Sequence, residues 1–385
     1  MILKELTLPN IELPEDAEFL RKEIREFLNK ERKQGSFEPK CDTWLGGYSA
    51  EFSRKIGHQG WLGMTWPKKY GGHERSALER FVVTEELLAA GAPVAAHWFG
   101  DRQTGPLLLR YGTEEQKQRF LPLLAKGEIY FAIGLSEPNS GSDLASVSTR
   151  AKKSGNKWIV NGSKIWTSGA HHAHYMITLV RTAPVGDKKH EGLSQILLDL
   201  SAPGITIRPI HLMTGEHHFN EVIMEDVEVS EDMIIGKEGE GWKQSLAELA
   251  YERSGPERFM STYPLLEELV RRLSDSDSDY AKIAVGRLVA RLWTLRKMSL
   301  GVAGLLEQGK SPEIAAALVK DLGTEYENEI IKVARLLIPS NPSVTAESSF
   351  DALLAQAILH APGFTLRGGT TEILRGIIAR GLGVR

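Results

Sequence analysis

The segment AIGLSEPNSGSDLAS, residues 132–146, concentrates small hydrogen-bonding residues in one turn at the start of a β-rich region. Ser136 and Ser142 offer hydroxyl groups, and Gly141 lets the backbone approach a ligand closely. Such a turn can direct N–H groups and hydroxyls at a phosphate or at the polar edge of a ring. A tight turn that only leads into a strand is the plainer interpretation of the same residues.

A large aromatic residue follows in the next predicted strand, NGSKIWTSG. Trp166 offers a flat apolar face, and Thr167 and Ser168 place hydrogen-bond donors beside it. A planar aromatic ligand with a phosphate tail would satisfy both segments. We therefore treat the turn and this strand as parts of one candidate site.

The periodicity of apolar residues divides the chain into three regions. Apolar residues three and four apart predict helices from Asp16 to about Lys126, with Thr113 as a helix N-cap, and again after Gly236 to the end of the chain. Alternation with a period of two predicts strands from about Glu128 to Gly236. We expect domains at 1–126, 127–236 and 237–385.

Composition excludes several classes of protein. A chain of 385 residues can build more than one core, and its formal charge of -3 gives no basic surface for nucleic acid. Cys41 is the sole cysteine, which excludes a disulfide within the chain and favours a reducing compartment. The sequence shows neither a signal-peptide pattern nor 18 consecutive apolar residues, so we expect a soluble, cytoplasmic protein without a membrane span.

Common catalytic and nucleotide motifs are missing from the sequence. The sequence contains no Rossmann Gly-x-Gly-x-x-Gly after a strand and no phosphate-binding P-loop. It also contains no His-Glu-x-x-His and no Gly-x-Ser-x-Gly. The histidines at 171–174 and 217–218 have no carboxylate or thiolate at a suitable spacing, so we predict surface loops and no metal site. Arg102 is predicted to be a solvent-facing charge, although its helix could help to form a ligand pocket.

Two of these segments resemble signatures of the acyl-CoA dehydrogenase family. LSEPNSGSDLAS resembles the family's Thr-Glu-Pro-x-Ala-Gly-Ser-Asp signature, and NGSKIWTSGA resembles its Trp-containing signature. Further similar stretches follow in order along nearly the whole chain: GWLGMTWPKKYGG, YGTEEQKQRFLPLLAKGE, NEVIMEDVEVS and GKEGEGW. The resemblance implies an α+β multidomain fold with an N-terminal all-α domain, a central β-barrel or sandwich-like domain and a C-terminal four-helix-bundle domain.

The resemblance also implies an oxidoreductase with FAD as cofactor and an acyl-CoA thioester as substrate. Ser136 and the backbone near Ile133 and Leu135 would then meet the pyrimidine edge of the flavin. Gly141 and Ser142 would approach phosphates. The other cofactor-binding residues implied are Trp166 on one flavin face, Thr167 and Ser168 near N5, and Thr370 and Glu372 from GGTTEI.

The catalytic base of many family members is absent here. They carry a Glu directly before a Gly-Thr near the C-terminus, whereas LRGGTTEILRG has Gly368 in that place. Other members, including the isovaleryl- and long-chain enzymes, carry the base on the first long bundle helix before an Arg. ELAYERSGPERF places Glu252 and Arg253 there, so the resemblance implies that Glu252 takes the α-proton while flavin N5 takes the β-hydride. Without the resemblance, Glu252 would be interpreted as a solvated helix residue.

Three residues are implied to contact the substrate: Ser142, Gly368 through its backbone N–H at the thioester carbonyl, and Arg253, which serves either packing or contact with CoA. Pro256 lacks an N–H group, which predicts a bend at Glu252. Alternatively, Ser254-Gly255 caps a new helix that starts at Pro256.

Two family stretches that reach a neighbouring subunit's FAD, Arg-x-x-Phe-Gly and Gln-x-Phe-Gly-Gly, have no counterpart; the corresponding regions read DSDSDYAK and ARLLIPSNPS. The departures are typical of a divergent branch, in which two different chains can pair. We expect a dimer or tetramer, as a homo-oligomer or a hetero-oligomer, and an electron-transferring flavoprotein as acceptor. Two alternatives stay open: a flavin oxidase or hydroxylase that uses oxygen, and a non-catalytic subunit of a mixed assembly.

Overall fold

The computed structural model describes residues 7–252, 254–310 and 312–384, without the side chains of 247–252. These residues form two compact units. The helical unit contains the described residues up to Gly47, Arg75–Pro93 and those from Glu252 onward. The sheet unit contains Tyr48–Glu74 and Val94–Tyr251.

Helices occupy both ends of the chain, as the periodicity predicted. In the N-terminal part they are α1 (Glu15–Lys33), α2 (Thr43–Gly46), α3 (Ala50–His58), α4 (Ala77–Ala89), α5 (Ala95–Phe99), α6 (Gly105–Tyr111) and α7 (Glu114–Ala125). After the strands they are α8 (Gly241–Glu252), α9 (Tyr263–Arg272), α10 (Asp279–Glu307), α11 (Glu313–Leu337), α12 (Ser349–Phe364) and α13 (Thr371–Gly381).

Local sequence explains where these helices begin and which face they bury. Thr113 caps α7 as predicted, because its hydroxyl accepts the Gln116 N–H while the Gln116 side chain accepts the Thr113 N–H. Helix α1 buries Leu20, Ile24 and Leu28 on one face, and its acidic first turn and basic last turn suit the helix dipole.

A π-helical turn at Gly100–Thr104 interrupts the helical segment between α5 and α6. Pro106 has no N–H group for the Arg102 carbonyl, and a wider turn accommodates this loss. The glycine that starts α6 allows close packing, since a Cβ on Gly105 would lie 2.0 Å from Cζ2 of Trp66. Arg102 is half-buried rather than solvent-facing, with its guanidinium carbon 5.2 Å from the Trp98 ring.

The strands form one seven-stranded mixed sheet in the sheet unit, in the order β1-β4-β2-β3-β7-β6, with β5 paired to β4. Strands β1 and β4 are parallel, whereas β2–β3, β3–β7, β4–β5 and β6–β7 are antiparallel. The strands are β1 (Phe131–Gly134), β2 (Arg150–Ser154), β3 (Lys157–Ser168), β4 (Tyr175–Arg181), β5 (Leu193–Asp199), β6 (Ile205–His211) and β7 (His217–Ser230).

One side of this sheet packs on α6 and α7 to form the main core of the sheet unit. Its fully buried members include Leu108, Leu121, Ala132, Val160 and Ile177. The order of an N-terminal helical region, a central sheet and a C-terminal helical region confirms the fold class expected from the sequence. None of the helices in the described ranges has both the length and the apolar character that a membrane span requires.

Candidate active site

The turn after β1 is held by a buried ion pair. The carboxylate of Glu137 accepts hydrogen bonds from Lys164 Nζ at 2.8 Å, the Ser148 N–H at 2.7 Å and the Thr149 N–H at 2.9 Å. Lys164 Nζ also donates to the Leu135 carbonyl at 3.1 Å. The two charged side chains are only 0% and 5% exposed. Because many donors and acceptors are matched, the pair fixes the path of the turn.

Burial acts against both charges of this pair. Desolvation raises the pKa of Glu137, but Lys164, Thr149 and Ser148 together outweigh it and lower that pKa to about 2. Desolvation lowers the pKa of Lys164 to about 8, against the attraction of Glu137. Both groups are therefore charged at neutral pH.

Strand β3 contains a bulge at the predicted flavin-facing residues. Its register with β7 shifts between Lys164 and Thr167. Trp166 has a φ of 58°, a left-handed conformation that is costly for a bulky residue, and its side chain is 55% exposed. Its ring meets Phe219 edge-on, with the ring centroids 5.9 Å apart. The bulge thus turns Trp166 outward while Thr167 stays fully buried.

The turn and the bulge are adjacent in the sheet unit. The Ile165 N–H donates to the Ser136 carbonyl at 2.9 Å, and Lys164 joins the Leu135 carbonyl to the same strand. Ile133 lies one residue earlier than the end of β1. The structure therefore brings the predicted residues Ile133, Leu135 and Ser136 close to the Trp166–Ser168 segment.

The tip of the turn presents small residues to solvent. Gly141 and Ser142 are exposed, and a Cβ on Gly141 would have no heavy atom within 4 Å. Asp143 anchors the tip: its backbone carbonyl accepts the Ser140 hydroxyl at 2.7 Å, and its carboxylate accepts the Lys189 ammonium. The backbone of Gly141 and the side chain of Ser142 are thus accessible on a fixed turn.

Asn220 links the bulge to a pair of histidines. Its amide nitrogen donates to the Thr167 carbonyl at 3.0 Å and lies 3.0 Å from His171 Nδ1, and its oxygen lies 2.7 Å from His217 Nε2. The rings of His171 and His217 stack with centroids 3.8 Å apart. Burial, with the neighbouring histidines, lowers the pKa of His171 to about 4, so this ring is neutral at pH 7 and can accept a hydrogen bond.

The prediction of surface loops for the histidines was wrong at residues 217–218. His217 is the first residue of β7, where it pairs with His211 of β6, and His218 is buried. The reason is that the ladder of β6 and β7 begins before the first apolar residue of β7, so periodicity does not mark its start. The prediction is confirmed for 171–174, which form a turn between β3 and β4.

Helix α8, which ends at Glu252, is anchored on the sheet. Gln195 donates to the Ser245 hydroxyl at 3.1 Å, and a Cβ on Gly241 would lie 2.6 Å from the Ser194 backbone. The side chain of Glu252 and the whole of Arg253 lie outside the described residues. Their predicted roles as base and substrate contact therefore stay predictions.

The chain after Glu252 follows the second alternative considered for the sequence. Helix α8 ends at Glu252, and a 3₁₀ turn runs from Pro256 to Arg258 with Gly255 at its N-cap. The Ser299 hydroxyl donates to the Ser254 carbonyl within the helical unit. The missing N–H of Pro256 thus ends one helix and starts another rather than bending a continuous helix.

Gly368 lies in the loop between α12 and α13. Gly368 and Gly369 have φ values of 67° and 102°, a backbone conformation that residues with side chains rarely adopt. A Cβ on Gly368 would lie 2.9 Å from Nη1 and 3.1 Å from Cζ of Arg258. The Arg258 guanidinium therefore crowds the space that a side chain at position 368 would enter.

Buried charged residues pack around the loop between α12 and α13. Arg367 donates to Asp42 and, at 2.7 Å, to the Ser261 hydroxyl, while Glu327 accepts the Ser261 N–H at 2.8 Å. Lys320 Nζ donates at 2.8 Å to the carbonyl of Phe364, the last residue of α12. A cation at a helix C-terminus is favourable because it meets the negative end of the dipole.

Burial shifts the pKa values of these groups in different directions. Desolvation opposes the charge of Asp42, but Arg367 and His360 outweigh it and lower the pKa of Asp42. Desolvation raises the pKa of Glu327 despite Arg367. Desolvation and the nearby Arg258 lower the pKa of Lys320 to about 7.

Thr370 and Glu372 form the start of α13. The Thr370 hydroxyl accepts the Ile373 N–H as the N-cap, and Glu372 is exposed in the first turn. The pKa of Glu372 is lowered by its own backbone N–H and by Thr370. Thr370 thus caps the N-terminus of α13. The cofactor contacts of Thr370 and Glu372 stay predictions.

The residues of the sheet unit fit a flavin. Within the described part of the chain, Thr167 Oγ1 is buried without a hydrogen-bond partner, beside the exposed face of Trp166. A polar ring edge near Thr167 would satisfy this hydroxyl, and the open tip at Gly141 and Ser142 suits phosphate oxygens. The donors are N–H groups and hydroxyls, which match the acceptors of an isoalloxazine and a diphosphate.

The architecture is of the flavoprotein dehydrogenase type. It consists of a helical region, a sheet and a second helical region, and a turn of small hydrogen-bonding residues lies beside an exposed tryptophan. Family models match three consecutive parts: the N-terminal domain of acyl-CoA dehydrogenases at 14–128, the middle domain at 132–227 and the C-terminal domain at 239–383. The chain belongs to the acyl-CoA dehydrogenase family of oxidoreductases.

Individual relatives agree over nearly the whole chain. The acyl-CoA dehydrogenase FadE26 of Mycobacterium tuberculosis is 31% identical, with 94% of this chain and 95% of that protein covered. The Tcur3481-Tcur3483 steroid ACAD has a TM-score of 0.83 at 30% identity, covering 97% of this chain and 99% of that chain. The ChsE4-ChsE5 complex of Mycobacterium tuberculosis has a TM-score of 0.83 at 30% identity, covering 96% and 97%.

No sequence motif singled out Glu137, Lys164, Asn220 or Arg258. One signal was available: Lys164 has the same even parity as Trp158 and Val160, which are buried in β3. A lysine at an inward position of a strand predicts a buried acidic partner. Arg258 gave no comparable signal, because its neighbour Gly368 is 110 positions away in the chain.

Proposed function

We propose that this protein catalyses the FAD-dependent α,β-dehydrogenation of an acyl-CoA thioester to the 2-enoyl-CoA. The observation that carries the proposal is the bulge of β3, which exposes Trp166 and leaves the buried Thr167 hydroxyl without a partner in the described residues. The Glu137–Lys164 pair holds the neighbouring turn in place. Such pre-organisation is what a cofactor that must be aligned with a substrate requires.

The proposal assigns most of the flavin contacts to the sheet unit. Ser136 and the backbone at Ile133 and Leu135 would hold the pyrimidine edge, and Trp166 would cover one face. Thr167 and Ser168 would contact the N5 side. The remaining proposed contacts are Gly141 and Ser142 with phosphates, and Thr370 and Glu372 with other parts of FAD. FAD, when bound, supplies the acceptor for the hydride from the β-carbon.

Glu252 is the proposed base for the α-proton. An apolar acyl chain beside this carboxylate would raise its pKa toward the operating pH, which suits removal of a proton from carbon. Gly368 would donate its N–H to the thioester oxygen as negative charge develops there. Arg253 and Ser142 would contact CoA. The substrate thereby loses one proton to Glu252 and one hydride to the cofactor, and a Cα–Cβ double bond forms.

The 30% sequence identity to a steroid ACAD favours a bulky polycyclic acyl group over a short straight chain as the substrate class. Two similar structures contain two named chains each, which supports a second dehydrogenase-like chain as a partner and a hetero-oligomer as the assembly. We propose an electron-transferring flavoprotein as the electron acceptor.

An anaerobic titration of the purified protein against a panel of acyl-CoAs tests the proposal. We expect a yellow protein whose flavin absorbance near 450 nm is bleached by the correct acyl-CoA, at about one equivalent per flavin. The panel includes a straight-chain, a branched and a steroid side-chain thioester. Bleaching by none of them, with flavin present, would contradict the proposed reaction.

Glu252→Gln tests the base separately. We expect this variant to keep its colour and to bind the thioester, while the rate of bleaching falls by at least about a thousandfold. Glu248→Gln, one helical turn earlier, is the matched control and should change the rate by less than about tenfold. Rapid peroxide formation in air without a carrier protein would instead select the oxidase alternative. A complex with a second chain that holds FAD and is bleached equally fast with Glu252→Gln in this chain would select the alternative of a non-catalytic subunit.

A further inference from the structure

A cavity of about 380 Å³ lies in the helical unit, between α1, the end of α4 and the start of α9. Helix α1 contributes Arg25, Asn29 and Arg32 to its wall, and α9 contributes Tyr263 and Glu267. Its volume is at the lower end of the range of small-molecule sites, roughly 300–1,000 Å³. None of these five residues has a role in the proposed reaction.

The remaining lining of the cavity is largely apolar. Leu28 of α1 and Phe37, in the segment after α1, are only 5% and 8% exposed. Ala89 and Ala90, at the end of α4, are half-buried and contribute one methyl group each. A ring or short chain of a ligand can therefore leave water against this lining, and the Phe37 ring offers it an aromatic surface.

Three polar side chains of α1 face the cavity together. Arg25, Asn29 and Arg32 are four and three residues apart, which is the spacing of neighbours on the surface of a helix. Within the described residues, the side chains of Asn29 and Arg32 have no hydrogen-bond partner. A guanidinium offers a planar set of N–H donors that matches a carboxylate or a phosphate, and the amide of Asn29 adds two more donors.

Ion pairs hold this wall in place and neutralise its inner carboxylate. Nε and Nη2 of Arg25 donate to Glu86 at 2.7 and 3.0 Å, and Arg21 donates to Glu86 as well. Arg21 also donates at 2.9 Å to Glu85, which accepts Nε of Arg296 at 2.6 Å. In the part of the chain that the structure describes, no group takes up Nη1 of Arg25. The network therefore fixes Arg25 while leaving N–H groups for a ligand.

The wall formed by α9 adds a hydroxyl donor. Burial, together with the charges of Glu267 and Glu86, raises the pKa of Tyr263, so its hydroxyl keeps its proton at neutral pH. Among the described residues this hydroxyl has no hydrogen-bond partner. Glu267 brings a carboxylate to the cavity, but the residue is exposed, so water and salt weaken its repulsion of an anion.

We propose that this cavity binds a small organic anion, a carboxylate or a phosphate carried on an apolar ring. Arg32, Asn29 and Nη1 of Arg25 hold the anionic group, and the ring packs on Phe37 beside Ala90. The unpaired N–H donors call for an anion, and the apolar lining calls for an organic body rather than an inorganic ion. Free acids and phosphate esters share this chemistry. The inference does not depend on the proposed reaction, because no residue of the cavity takes part in it.

Calorimetric titration of the full-length protein, saturated with FAD, tests the site with simple probes. We expect phenyl phosphate and phenylacetate to bind with dissociation constants of about 0.1–3 mM, at about one molecule per chain. Benzyl alcohol lacks the charge and inorganic phosphate lacks the ring, so each should bind at least about tenfold more weakly. The tighter of the two aryl anions identifies whether the site prefers a phosphate ester or a free acid.

A pair of charge-matched variants locates the binding on α1. Arg32→Gln removes the guanidinium from the cavity and should weaken the binding of both aryl anions by about tenfold or more. Lys30→Gln removes the same charge from an exposed position of α1 that does not line the cavity, and should change the affinity by less than about twofold. Both residues are exposed, so we expect both variants to fold as the wild type does.

Three further variants examine the other sides of the cavity. Ala90→Leu fills the space for the ring and should abolish binding of both aryl anions. Tyr263→Phe removes one hydroxyl donor and should weaken binding by about threefold. Glu267→Gln removes the repelling carboxylate and should strengthen binding by about twofold, a gain that a site for cations would not show.

Several outcomes would overturn the inference. If neither aryl anion binds the wild type below about 30 mM, the cavity is not a site for this class of ligand. Equal affinities of the wild type and Arg32→Gln, or equal losses in Arg32→Gln and Lys30→Gln, would place the binding elsewhere or reduce it to general charge attraction. Benzyl alcohol binding as tightly as the anions would show that no charge is recognised. If Ala90→Leu does not accumulate as a folded protein, the comparison of Arg32→Gln with Lys30→Gln decides alone.

Discussion

The turn after β1 and the loop before α13 are both supported by buried charges, but the two supports are built differently. In the sheet unit, Glu137 and Lys164 form a pair with one charge of each sign, and the carboxylate receives several donors. In the helical unit, Arg258, Lys320 and Arg367 share a cluster with the acids Asp42 and Glu327. The first arrangement is a single ion pair, whereas the second is a network in which several cations and acids share partners.

The difference shows that a buried charge can depend on one partner in one place and share several partners in another. A balanced pair leaves little net field, so its effect is to hold the turn that presents Ser136 and Gly141. In the larger cluster each charged group has more than one polar neighbour, so its members can replace one another in part. We therefore expect removal of one member to be severe in the pair and milder in the cluster.

Lys164→Met should have the largest effect on stability. It leaves the Glu137 carboxylate buried without its cation, and breaking a buried pair in this way costs about 3–5 kcal/mol. Chemical denaturation of the wild type and the variant at neutral pH measures this change. Lys157→Met, on the same strand, removes a half-exposed partner of Glu228 and should cost less than about 1 kcal/mol. Similar losses in the two variants would show that the buried pair does not hold the turn.

The sequence predicted the elements on which these networks are built but not the networks themselves. Apolar periodicity locates α10, α11 and β3–β7, because it reports which face of an element is buried. It cannot report the bulge at Trp166, which depends on the register of β3 against β7. It also cannot pair residues such as Asp42 and Arg367, which only tertiary packing brings together.

The candidate site was predictable in part for the same reason. Short motifs located Ser136, Trp166 and Gly368, since each motif reads a few adjacent residues. The ion pair behind the first turn and the cation beneath Gly368 come from distant positions in the chain. The π-helical turn at Gly100–Thr104 was missed because Pro106 reads equally well as the start of a new helix.

Asp42→Asn should have a smaller effect than Lys164→Met. Asn tolerates the left-handed φ of 58° at this position and can still accept hydrogen bonds, so the change removes mainly the charge. Arg367 retains Ser261 and the Glu327 carboxylate at 3.9 Å. We expect a loss of about 1–3 kcal/mol in the free energy of unfolding. A loss as large as that of Lys164→Met would mean that the cluster does not redistribute its charges.

The cluster should also respond to pH near neutrality, at a lower pH than the pair, whose Lys164 has a pKa of about 8. Burial places the pKa of Lys320 at about 7 in the folded protein, against 10.5 ordinarily. Between these values the unfolded chain binds one more proton at this residue, so its contribution to stability rises with pH. The slope is at most about 1.4 kcal/mol per pH unit.

Denaturation of the wild type and Lys320→Met at about pH 7, 8 and 9 measures this contribution. Stability of the wild type should rise relative to the variant as the pH increases. Lys310→Met, at the end of α10, is a control outside the cluster and should follow the wild type. A difference between wild type and Lys320→Met that does not depend on pH would show that Lys320 keeps its proton throughout this range.

Thr167→Val should have the smallest effect on the apoprotein and the most specific effect on the holoprotein. The Thr167 hydroxyl is buried without a partner in the described structure, so an isosteric Val should leave apoprotein stability unchanged or raise it by about 0.5–1 kcal/mol. The same change removes the donor proposed for the flavin edge and should weaken retention of FAD. Thermal unfolding with and without added FAD measures both effects. Ser163→Ala, also in β3 but before the bulge, should leave the stabilisation by FAD unchanged. If Thr167→Val destabilised the apoprotein as much as the holoprotein, the Thr167 hydroxyl would stabilise the sheet itself. The proposed contact of this hydroxyl with the flavin would then be wrong.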